Sequence, residues 1–271
     1  HSPAWTWRLG ALLRRRRFDL AVDLTGDLRS SWALFVADPG YRVGVNRVGL
    51  GRLLDRRVPY RSEGHVVDHL LDAVGLAGAK TERTEPRMYL SDAEREAARS
   101  LSGDEPYLAM APGAQSPLRR WPAERYGELA ARARRDRGMR TLFTGTASDA
   151  PLCVEAERRS EGAGTSLAGR TGDLRVLGAL FEGARAYVGS DSGPLHIAAA
   201  VGTPVVGLFG PNTPNRFAPR GAPSRLVVRT PPCSPCAQDR CMGETGPCLR
   251  TIGVDEVAHA LSSLLEDTEG P

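Results

Sequence analysis

The stretch of sequence that decides the fold is ARAYVGSDSGPLHIAAAVGTPVVGLFGP, which occupies residues 184–211. Its pattern predicts a strand that ends at Val188, a tight turn at residues 191–193, and a short helix that ends at Gly202. A second apolar run at residues 205–209 predicts another buried strand. Two parallel strands connected through a helix place the turn at the carboxyl edge of the sheet, where open α/β folds bind ligands.

The turn between the first strand and the helix is suited to an anion. Ser192 is a favourable helix N-cap, and Pro194 lies in the first turn, where a missing N–H costs nothing. The free N–H groups at this helix start attract negative charge together with the helix dipole. Gly193 has no side chain, so a phosphate could approach the backbone closely. We therefore expect an anion site at this turn.

Length and composition indicate a globular protein of two domains. The chain has 271 residues, of which 41% are hydrophobic and 25% charged, and these proportions are ordinary for globular proteins. No apolar run reaches the length of a membrane span and no signal peptide is recognisable, so a cytoplasmic protein is expected. The net charge is +4 and Lys80 is the only lysine. Arginine suits a small anionic substrate or an anionic membrane surface, whereas no nucleic-acid-binding motif is recognisable.

Strands alternate with helices along the chain, which predicts an α/β fold with parallel sheets. A polar break at residues 103–105 predicts a boundary between one domain at residues 1–103 and another at residues 104–271. Predicted strands occupy residues 18–24, 42–45, 87–90, 107–111, 141–144, 205–209 and 225–228. Predicted helices occupy residues 27–36, 65–74, 122–135, 174–181 and 254–265, and two more begin at Ser91, which has a capping box with Glu94, and near Asp149.

Three glycine-containing turns follow three strand ends in the second domain. They lie at residues 112–114, 144–146 and 190–193. A single turn of this kind most often only ends a strand, but three at one edge of one sheet outline a crevice. We therefore predict that Gly113 and Gly145 line the same crevice as the anion-binding turn.

Two arginines follow the first of these turns and precede a predicted helix. The segment reads Arg119-Arg120-Trp121-Pro122. Trp121 is expected to be a core residue. At least one arginine should face the crevice, because the loop begins at the carboxyl end of a strand, and an arginine there could neutralise a diphosphate.

The helix that follows Asp191 contains a histidine in its first turn. A histidine followed by Ile-Ala-Ala-Ala, as His196 is, is more often a packed core residue than a catalyst. Its position beside the predicted anion site favours contact with a phosphate or a sugar hydroxyl.

Four of the five cysteines lie close together near the end of the sequence, at Cys233, Cys236, Cys241 and Cys248. The first pair is a CxxC, which in a cytoplasmic chain favours a structural metal site, such as zinc, over disulfides. The alternative is a set of reduced thiols that pack a loop, because the second CxxC of a zinc ribbon is missing. Cys153 is expected to be a buried helix residue.

A run of four arginines at residues 14–17 precedes the first predicted strand. Most such runs are solvated helix faces. The alternative is peripheral contact with anionic lipid.

Several of these segments resemble one known family, the ADP-heptose:lipopolysaccharide heptosyltransferases of glycosyltransferase family 9. The resemblance is most specific where DSGPLH, GTPVV and FGPNTPNR follow one another within residues 191–216, and where PGA and RRWP follow one another within residues 112–122. LAGRT at residues 167–171 is similar to the family's adenine-side loop. Residues 18–26, residues 42–45 and the late cysteines are also similar.

The resemblance implies a GT-B fold, in which two Rossmann-like domains with parallel sheets face each other across a cleft. The second domain would bind the nucleotide sugar and the first the acceptor. The implied reaction is inverting transfer of a heptose from ADP-heptose to the lipopolysaccharide inner core, without a catalytic metal or other cofactor.

The resemblance also implies roles for individual residues. Asp191 and His196 would contact the sugar and phosphate, and Arg119 would bind the diphosphate. The predicted catalytic residues are therefore Asp191, His196 and Arg119. Residues predicted to contact the nucleotide sugar are Gly113, Arg119, Arg120, Gly145, Asp149 (at the ribose), Thr171 (at the adenine), Ser192 and Gly193.

Two features depart from the family pattern. Arg119 stands where the family usually has lysine, which keeps the charge but changes the geometry. Nothing before Phe18 matches the strand and glycine-aspartate turn that begin family members and supply their proposed base, so we expect an incomplete N-terminal domain. Two alternative functions follow: a nucleotide-sugar-binding member that has lost catalysis, and a related GT-B transferase that uses another donor.

Overall fold

The computed structural model describes residues 3–80, 82, 85–236, 238, 240–241, 243 and 247–269. The chain divides into two compact units, His1–Thr84 and Glu85–Pro271. Each unit contains one sheet, and every strand pair in both sheets is parallel. The predicted α/β fold with parallel sheets is therefore confirmed.

The first unit has a three-stranded sheet in the order β1-β2-β3. Its elements are α1 (Pro3–Arg14), β1 (Leu20–Asp23), α2 (Leu28–Ala37), β2 (Tyr41–Asn46), β3 (Arg56–Pro59) and α3 (Val66–Gly75). The sequence did not predict α1, which packs so closely on α2 that a Cβ on Gly10 would lie 2.6 Å from Val36 Cβ. It also did not predict β3, because two arginines and a proline are unusual in a strand.

A buried carboxylate organises the turn from β1 to α2. Asp23, at the end of β1, is 3% exposed. Its Oδ1 accepts hydrogen bonds from the backbone N–H groups of Thr25 and Gly26 and from the Thr25 hydroxyl, and its Oδ2 accepts from the hydroxyls of Ser30 and Ser31. Five donors satisfy the charge that burial would otherwise destabilise.

The second unit has a six-stranded sheet in the order β6-β5-β4-β7-β8-β9. Its strands are β4 (Tyr107–Ala111), β5 (Arg140–Phe143), β6 (Gly164–Ser166), β7 (Ala186–Ser190), β8 (Val205–Phe209) and β9 (Ser224–Val228). Its helices are α4 (Asp92–Ser102), α5 (Ala123–Arg137), α6 (Ala150–Arg159), α7 (Leu174–Glu182), α8 (Gly193–Ala200), α9 (Pro214–Phe217) and α10 (Val254–Glu269). The chain runs outward from β4 to β6 and then returns to β7, so the strand order reverses between β4 and β7, which is where doubly wound sheets bind ligands.

Helices cover both faces of this sheet. One core cluster joins the strands to α5, α6 and α10, and a second joins them to α4, α7 and α8. Every residue of β4, β7 and β8 is buried, as expected for central parallel strands. Trp121 is 1% exposed and Cys153 is fully buried, so both core predictions are confirmed.

The unit boundary differs from the predicted one. We expected it after residue 103, whereas the chain divides after Thr84. Helix α4 packs on α7, where the Arg95 Nε–Glu182 Oε2 distance is 2.6 Å, and Ala98 belongs to the second core cluster. The polar break at residues 103–105 is therefore the loop between α4 and β4.

Two local predictions were also wrong. Residues 87–90 do not form a strand; the Met88 N–H donates to the Ala200 carbonyl, but no ladder of bonds continues from it. Ser192 occupies the N-cap position of α8, but its side chain accepts no capping hydrogen bond; its hydroxyl donates to the Ser190 carbonyl at 3.1 Å. The predicted capping box of Ser91 and Glu94 is confirmed.

Among the helices described, none combines the length and the apolar character needed to cross a membrane.

Candidate functional site

A crevice of about 910 Å³ lies at the carboxyl edge of the six-stranded sheet, beside the point where the strand order reverses. The three glycine-containing turns predicted to meet there all contribute to its wall. The eight residues predicted to contact a nucleotide sugar are all in the lining: Gly113, Arg119, Arg120, Gly145, Asp149, Thr171, Ser192 and Gly193. Parallel topology thus brings together turns that are far apart in the sequence.

Arg119 connects two of these turns. Its Nη1 donates to the backbone carbonyl of Asp191 at 3.1 Å and lies 3.9 Å from Asp191 Oδ2. The Arg119 side chain is only 20% exposed. Burial weakens solvent screening, so the charge of this guanidinium acts strongly on an anion in the crevice.

Arg120 also lines the crevice, and its Nε donates to the Ala114 carbonyl at 2.9 Å. The bond closes the loop that carries both arginines. The sequence predicted that at least one arginine would face the crevice, and the structure places both there.

Asp191 comes two residues before α8, and its side chain is 7% exposed. Neither Asp191 nor His196 is among the residues that line the crevice, although Ser192 and Gly193 beside Asp191 are. His196 Nε2 lies 3.5 Å from Asp191 Oδ1, and Asn212 Nδ2 donates to Asp191 Oδ2 at 2.5 Å. Arg119 approaches the same carboxylate from the opposite loop. The His196 side chain is 42% exposed, so it is not the packed core residue of the alternative interpretation.

Asp149 closes another side of the crevice. Its Oδ2 accepts from the Thr146 N–H at 2.9 Å and from the Thr146 hydroxyl at 2.6 Å. The carboxylate lies so close to the neighbouring turns that a Cβ on Gly113 would be 2.5 Å from it, and a Cβ on Gly145 would be 2.8 Å from Asp149 Cβ. A Cβ at either glycine would therefore force the Asp149 side chain to move.

Gly193 differs from those two glycines. A Cβ at this position would meet nothing within 4 Å, so no protein atom requires glycine there. The space beside the first residue of α8 is open to the crevice.

The sequence analysis did not predict two residues near Asp191, namely Asn212 and Gln238. Asn212 follows β8, and Gln238 Nε2 donates to Asn212 Oδ1 at 2.9 Å. Asn212 lay within the quoted PNTPN segment, which was the one available signal. Nothing in the sequence associated Gln238 with Asp191.

The four late cysteines line a second cavity, of about 320 Å³. Cys233 and Cys241 are exposed, whereas Cys236 and Cys248 are partly buried, and none forms a disulfide. Thiolates suit zinc chemically, but among the residues described no three His, Cys, Asp or Glu side chains converge closely enough to bind a metal ion. The described side chains as arranged do not form a metal site, and zinc binding, one of the two interpretations of these cysteines, stays a prediction.

Comparisons with known proteins agree on one family. Residues 6–245 match glycosyltransferase family 9 (heptosyltransferase). The chain is 31% identical over 239 residues to lipopolysaccharide heptosyltransferase 2 of Salmonella typhimurium, covering 81% of this chain and 68% of that protein.

Solved structures give the same result for the fold. The E. coli ADP-heptose lps heptosyltransferase II matches with a TM-score of 0.78 and 25% identity, covering 98% of this chain and 82% of that one. A glycosyl transferase family 9 protein from Veillonella parvula matches with a TM-score of 0.81 and 20% identity, covering 99% and 81%. The predicted GT-B fold is confirmed, and the chain belongs to glycosyltransferase family 9, the heptosyltransferases, and is a glycosyltransferase.

Proposed function

We propose that this glycosyltransferase transfers a heptose from ADP-heptose to the inner core of lipopolysaccharide, with inversion at the anomeric carbon. The observation that carries the proposal is the crevice, in which Arg119, Arg120 and the start of α8 surround one space. Guanidinium groups and helix N–H groups are both suited to a diphosphate. The relatives named above, which are heptosyltransferases, support the choice of sugar.

The crevice offers a place for each part of the donor. Arg119 and Arg120 would neutralise the diphosphate, and the N–H groups of Ser192 and Gly193 would donate to it. Asp149 would accept from the ribose hydroxyls, because carboxylates favour such donors. Thr171 would lie beside the adenine.

The proposed chemistry is a direct displacement at the anomeric carbon. An acceptor hydroxyl gives its proton to a general base as its oxygen forms a bond to the anomeric carbon, and the bond from the anomeric carbon to the diphosphate oxygen breaks. The electrons of that bond leave with ADP, where Arg119 and the start of α8 stabilise the developing negative charge. Asp191 and His196 would contact the sugar from the same side.

The test is ADP release on incubation with ADP-heptose and a lipopolysaccharide core acceptor, together with ADP affinity by calorimetry. Arg119→Ala should weaken ADP binding by about 10- to 100-fold, because charge-assisted hydrogen bonds to phosphate are among the stronger polar contacts. The ADP affinity of Arg119→Lys should lie between those of the wild-type protein and Arg119→Ala, because lysine keeps the charge without the bidentate geometry.

The outcomes separate the alternative functions. ADP binding without ADP release would favour a member that has lost catalysis. Release of a nucleoside diphosphate from a different nucleotide sugar, but not of ADP from ADP-heptose, would favour a transferase that uses another donor. A folded protein that does not bind ADP would contradict both the proposed function and the member that has lost catalysis.

We also propose that the enzyme works in the cytoplasm and contacts the inner membrane peripherally through α1. Trp7 and Leu12 of this helix are 58% and 57% exposed, and the four arginines at residues 14–17 are exposed at its end. Indole rings favour the membrane–water interface, and arginines are attracted to anionic lipid.

A further inference from the structure

The loop that carries the first two late cysteines lies directly against the turn after β8. We name residues 233–236 together with Gln238 the cysteine loop. The Ser234 hydroxyl donates to the Gly210 carbonyl at 2.8 Å, and the Cys236 N–H donates to the Pro211 carbonyl at 3.0 Å. Two bonds thus fix the cysteine loop beside the turn that presents Asn212.

The end of the cysteine loop is connected to Asp191 through two side-chain amides. Gln238 Nε2 donates to Asn212 Oδ1 at 2.9 Å, and Asn212 Nδ2 donates to Asp191 Oδ2 at 2.5 Å. Gln238 has a φ of +65°, a left-handed conformation that is uncommon for residues other than glycine. The backbone adopts this unfavourable conformation where the side chain meets Asn212.

The direction of both hydrogen bonds follows from the carboxylate. An ionised carboxylate only accepts, so Asn212 must present its NH₂ group to Asp191. The Asn212 oxygen then faces Gln238, which must present its own NH₂ group. With Gln238 in place, turning the Asn212 amide by 180° would set oxygen against oxygen and NH₂ against NH₂.

We propose that Asn212 and Gln238 are positioning residues for the transfer reaction, which orient the Asp191 carboxylate toward the donor sugar. This inference rests on the proposed function. Three other groups face or approach Asp191: Arg119 through its charge, His196 through its ring, and Leu208, whose carbonyl accepts from the Asp191 N–H. Among the described residues, the amide pair is what connects the carboxylate to the cysteine loop.

Two substitutions at Gln238 distinguish orientation from simple packing. In Gln238→Ala the Asn212 amide loses one partner but can still donate to Asp191. In Gln238→Glu the new carboxylate accepts from Asn212 NH₂, so the amide turns and presents its oxygen to Asp191. We expect kcat to fall by about 3-fold in Gln238→Ala and by about 10-fold or more in Gln238→Glu, with KM for the donor changed less than kcat. A packing role predicts the opposite order, because Glu has nearly the shape of Gln.

A double-mutant cycle tests whether Gln238 acts on Asp191 through Asn212. Asn212→Ala should lower kcat at least as much as Gln238→Glu, since it removes the donor to Asp191. In the Asn212→Ala background, neither substitution at Gln238 should lower kcat further. Thermal unfolding of each variant reports separately on the fold.

Side-chain amide NMR on the whole protein gives a readout that does not need turnover. The Asn212 NH₂ resonance should carry the shift of a charge-assisted hydrogen bond and should move in Gln238→Glu more than in Gln238→Ala. If wild-type protein releases no ADP from ADP-heptose, the proposed function fails and the NMR shifts alone decide whether the two amides are coupled to Asp191. Equal or reversed kcat losses in an active enzyme, or an Asn212 resonance insensitive to Gln238, would overturn the inference.

Discussion

Gly113 and Asp149 come from two different strand-end turns, yet a single methyl group on Gly113 would lie 2.5 Å from the Asp149 carboxylate. The same carboxylate is bonded to Thr146. A side chain at residue 113 would therefore have to displace this carboxylate from its position between the segments that follow β4 and β5. This contact sets the shape of one end of the crevice.

We expect Gly113→Ala to destabilise the second unit. The methyl group would displace the Asp149 carboxylate and break its bonds to Thr146, at a cost of about 1–3 kcal/mol, as for other overpacked sites. Urea unfolding checks the loss. Gly113→Ala combined with Asp149→Ala should recover part of it, because the smaller side chain removes the clash; no recovery would show that the strain lies elsewhere.

Gly193→Ala is the matched substitution on the opposite turn, and we expect a different outcome. No protein atom lies within 4 Å of the added Cβ, so the urea midpoint should stay within error of wild type. The methyl group would occupy the space that we assign to the diphosphate, so ADP affinity should fall by about 10-fold or more. Calorimetry with ADP checks this, and unchanged affinity would exclude the diphosphate from this end of the crevice.

The sequence predicted the second sheet well because its signals are local. Apolar runs bounded by glycine and proline located β4, β7 and β8, and parallel topology then required their turns to share an edge. Gly113, Gly145 and an arginine of the following loop were placed at the crevice by that geometry, whereas Asp149 and Thr171 were predicted only through the family resemblance. Trp121 was also predictable as core from its position between a loop and a helix.

Other features of the second unit could not be predicted, because they depend on contacts between residues that are distant in the sequence. The segment around Met88 is apolar enough for a strand but bonds to a helix end instead of a neighbouring strand. The hydroxyl of Ser192 had two acceptable choices, a cap or the Ser190 carbonyl, and the tertiary fold decided between them. Gln238 reaches Asp191 only because a distant loop folds back on the turn after β8.

Acid should weaken the contact between α4 and α7. Hydrogen bonds from Arg175 and from the Ser91 N–H lower the pKa of Glu94 from 4.5 to about 2. Because the folded pKa is the lower one, the stabilisation is present above about pH 4.5 and is lost as the pH falls toward about 2. Glu94→Gln keeps the oxygen that accepts from the Ser91 N–H but has no titrating carboxyl group. We expect its urea midpoint to fall less between about pH 6 and about pH 3 than the urea midpoint of the wild-type protein.

The control for this pH series lies on the same helix. Glu96 pairs with Arg99 at 3.3 Å, and both side chains are more than half exposed, so the pair should contribute little. Glu96→Gln should therefore follow the wild-type pH profile. A Glu94→Gln profile identical to both would show that the Arg175 pair does not stabilise the fold.

The cysteines should differ in reactivity. Burial raises the pKa of the Cys153 thiol to about 12, whereas Cys233 and Cys241 are exposed. Since the thiolate is the reactive form, iodoacetamide at mildly alkaline pH should alkylate Cys233 and Cys241 first and Cys153 only after unfolding. Peptide mass spectrometry over a time course checks the order; early alkylation of Cys153 in native protein would contradict the buried position.

Membrane contact through α1 can be tested with vesicles. The full protein should sediment with vesicles that contain phosphatidylglycerol more than with phosphatidylcholine alone, and added salt should weaken the binding. Trp7→Ser and the charge reversal of Arg15 and Arg16 to Glu should each reduce it. Tyr89→Ser, an aromatic residue that is 77% exposed in the other unit, is the matched control; equal loss in this variant would reject α1 as the contact.

The loop that carries Arg119 and Arg120 is hydrogen-bonded, through the residues that follow it, to the segment before α10. Trp121 Nε1 donates to the Ile252 carbonyl at 3.0 Å, and Arg125 donates to the Arg250 carbonyl at 2.6 Å. Helix α10, which begins two residues after Ile252, packs in the same core cluster as Trp121. Recombinant versions trimmed at the carboxyl end, or carrying a fusion that unwinds α10, would therefore disturb the arginine loop at a distance, and an affinity tag is better placed elsewhere.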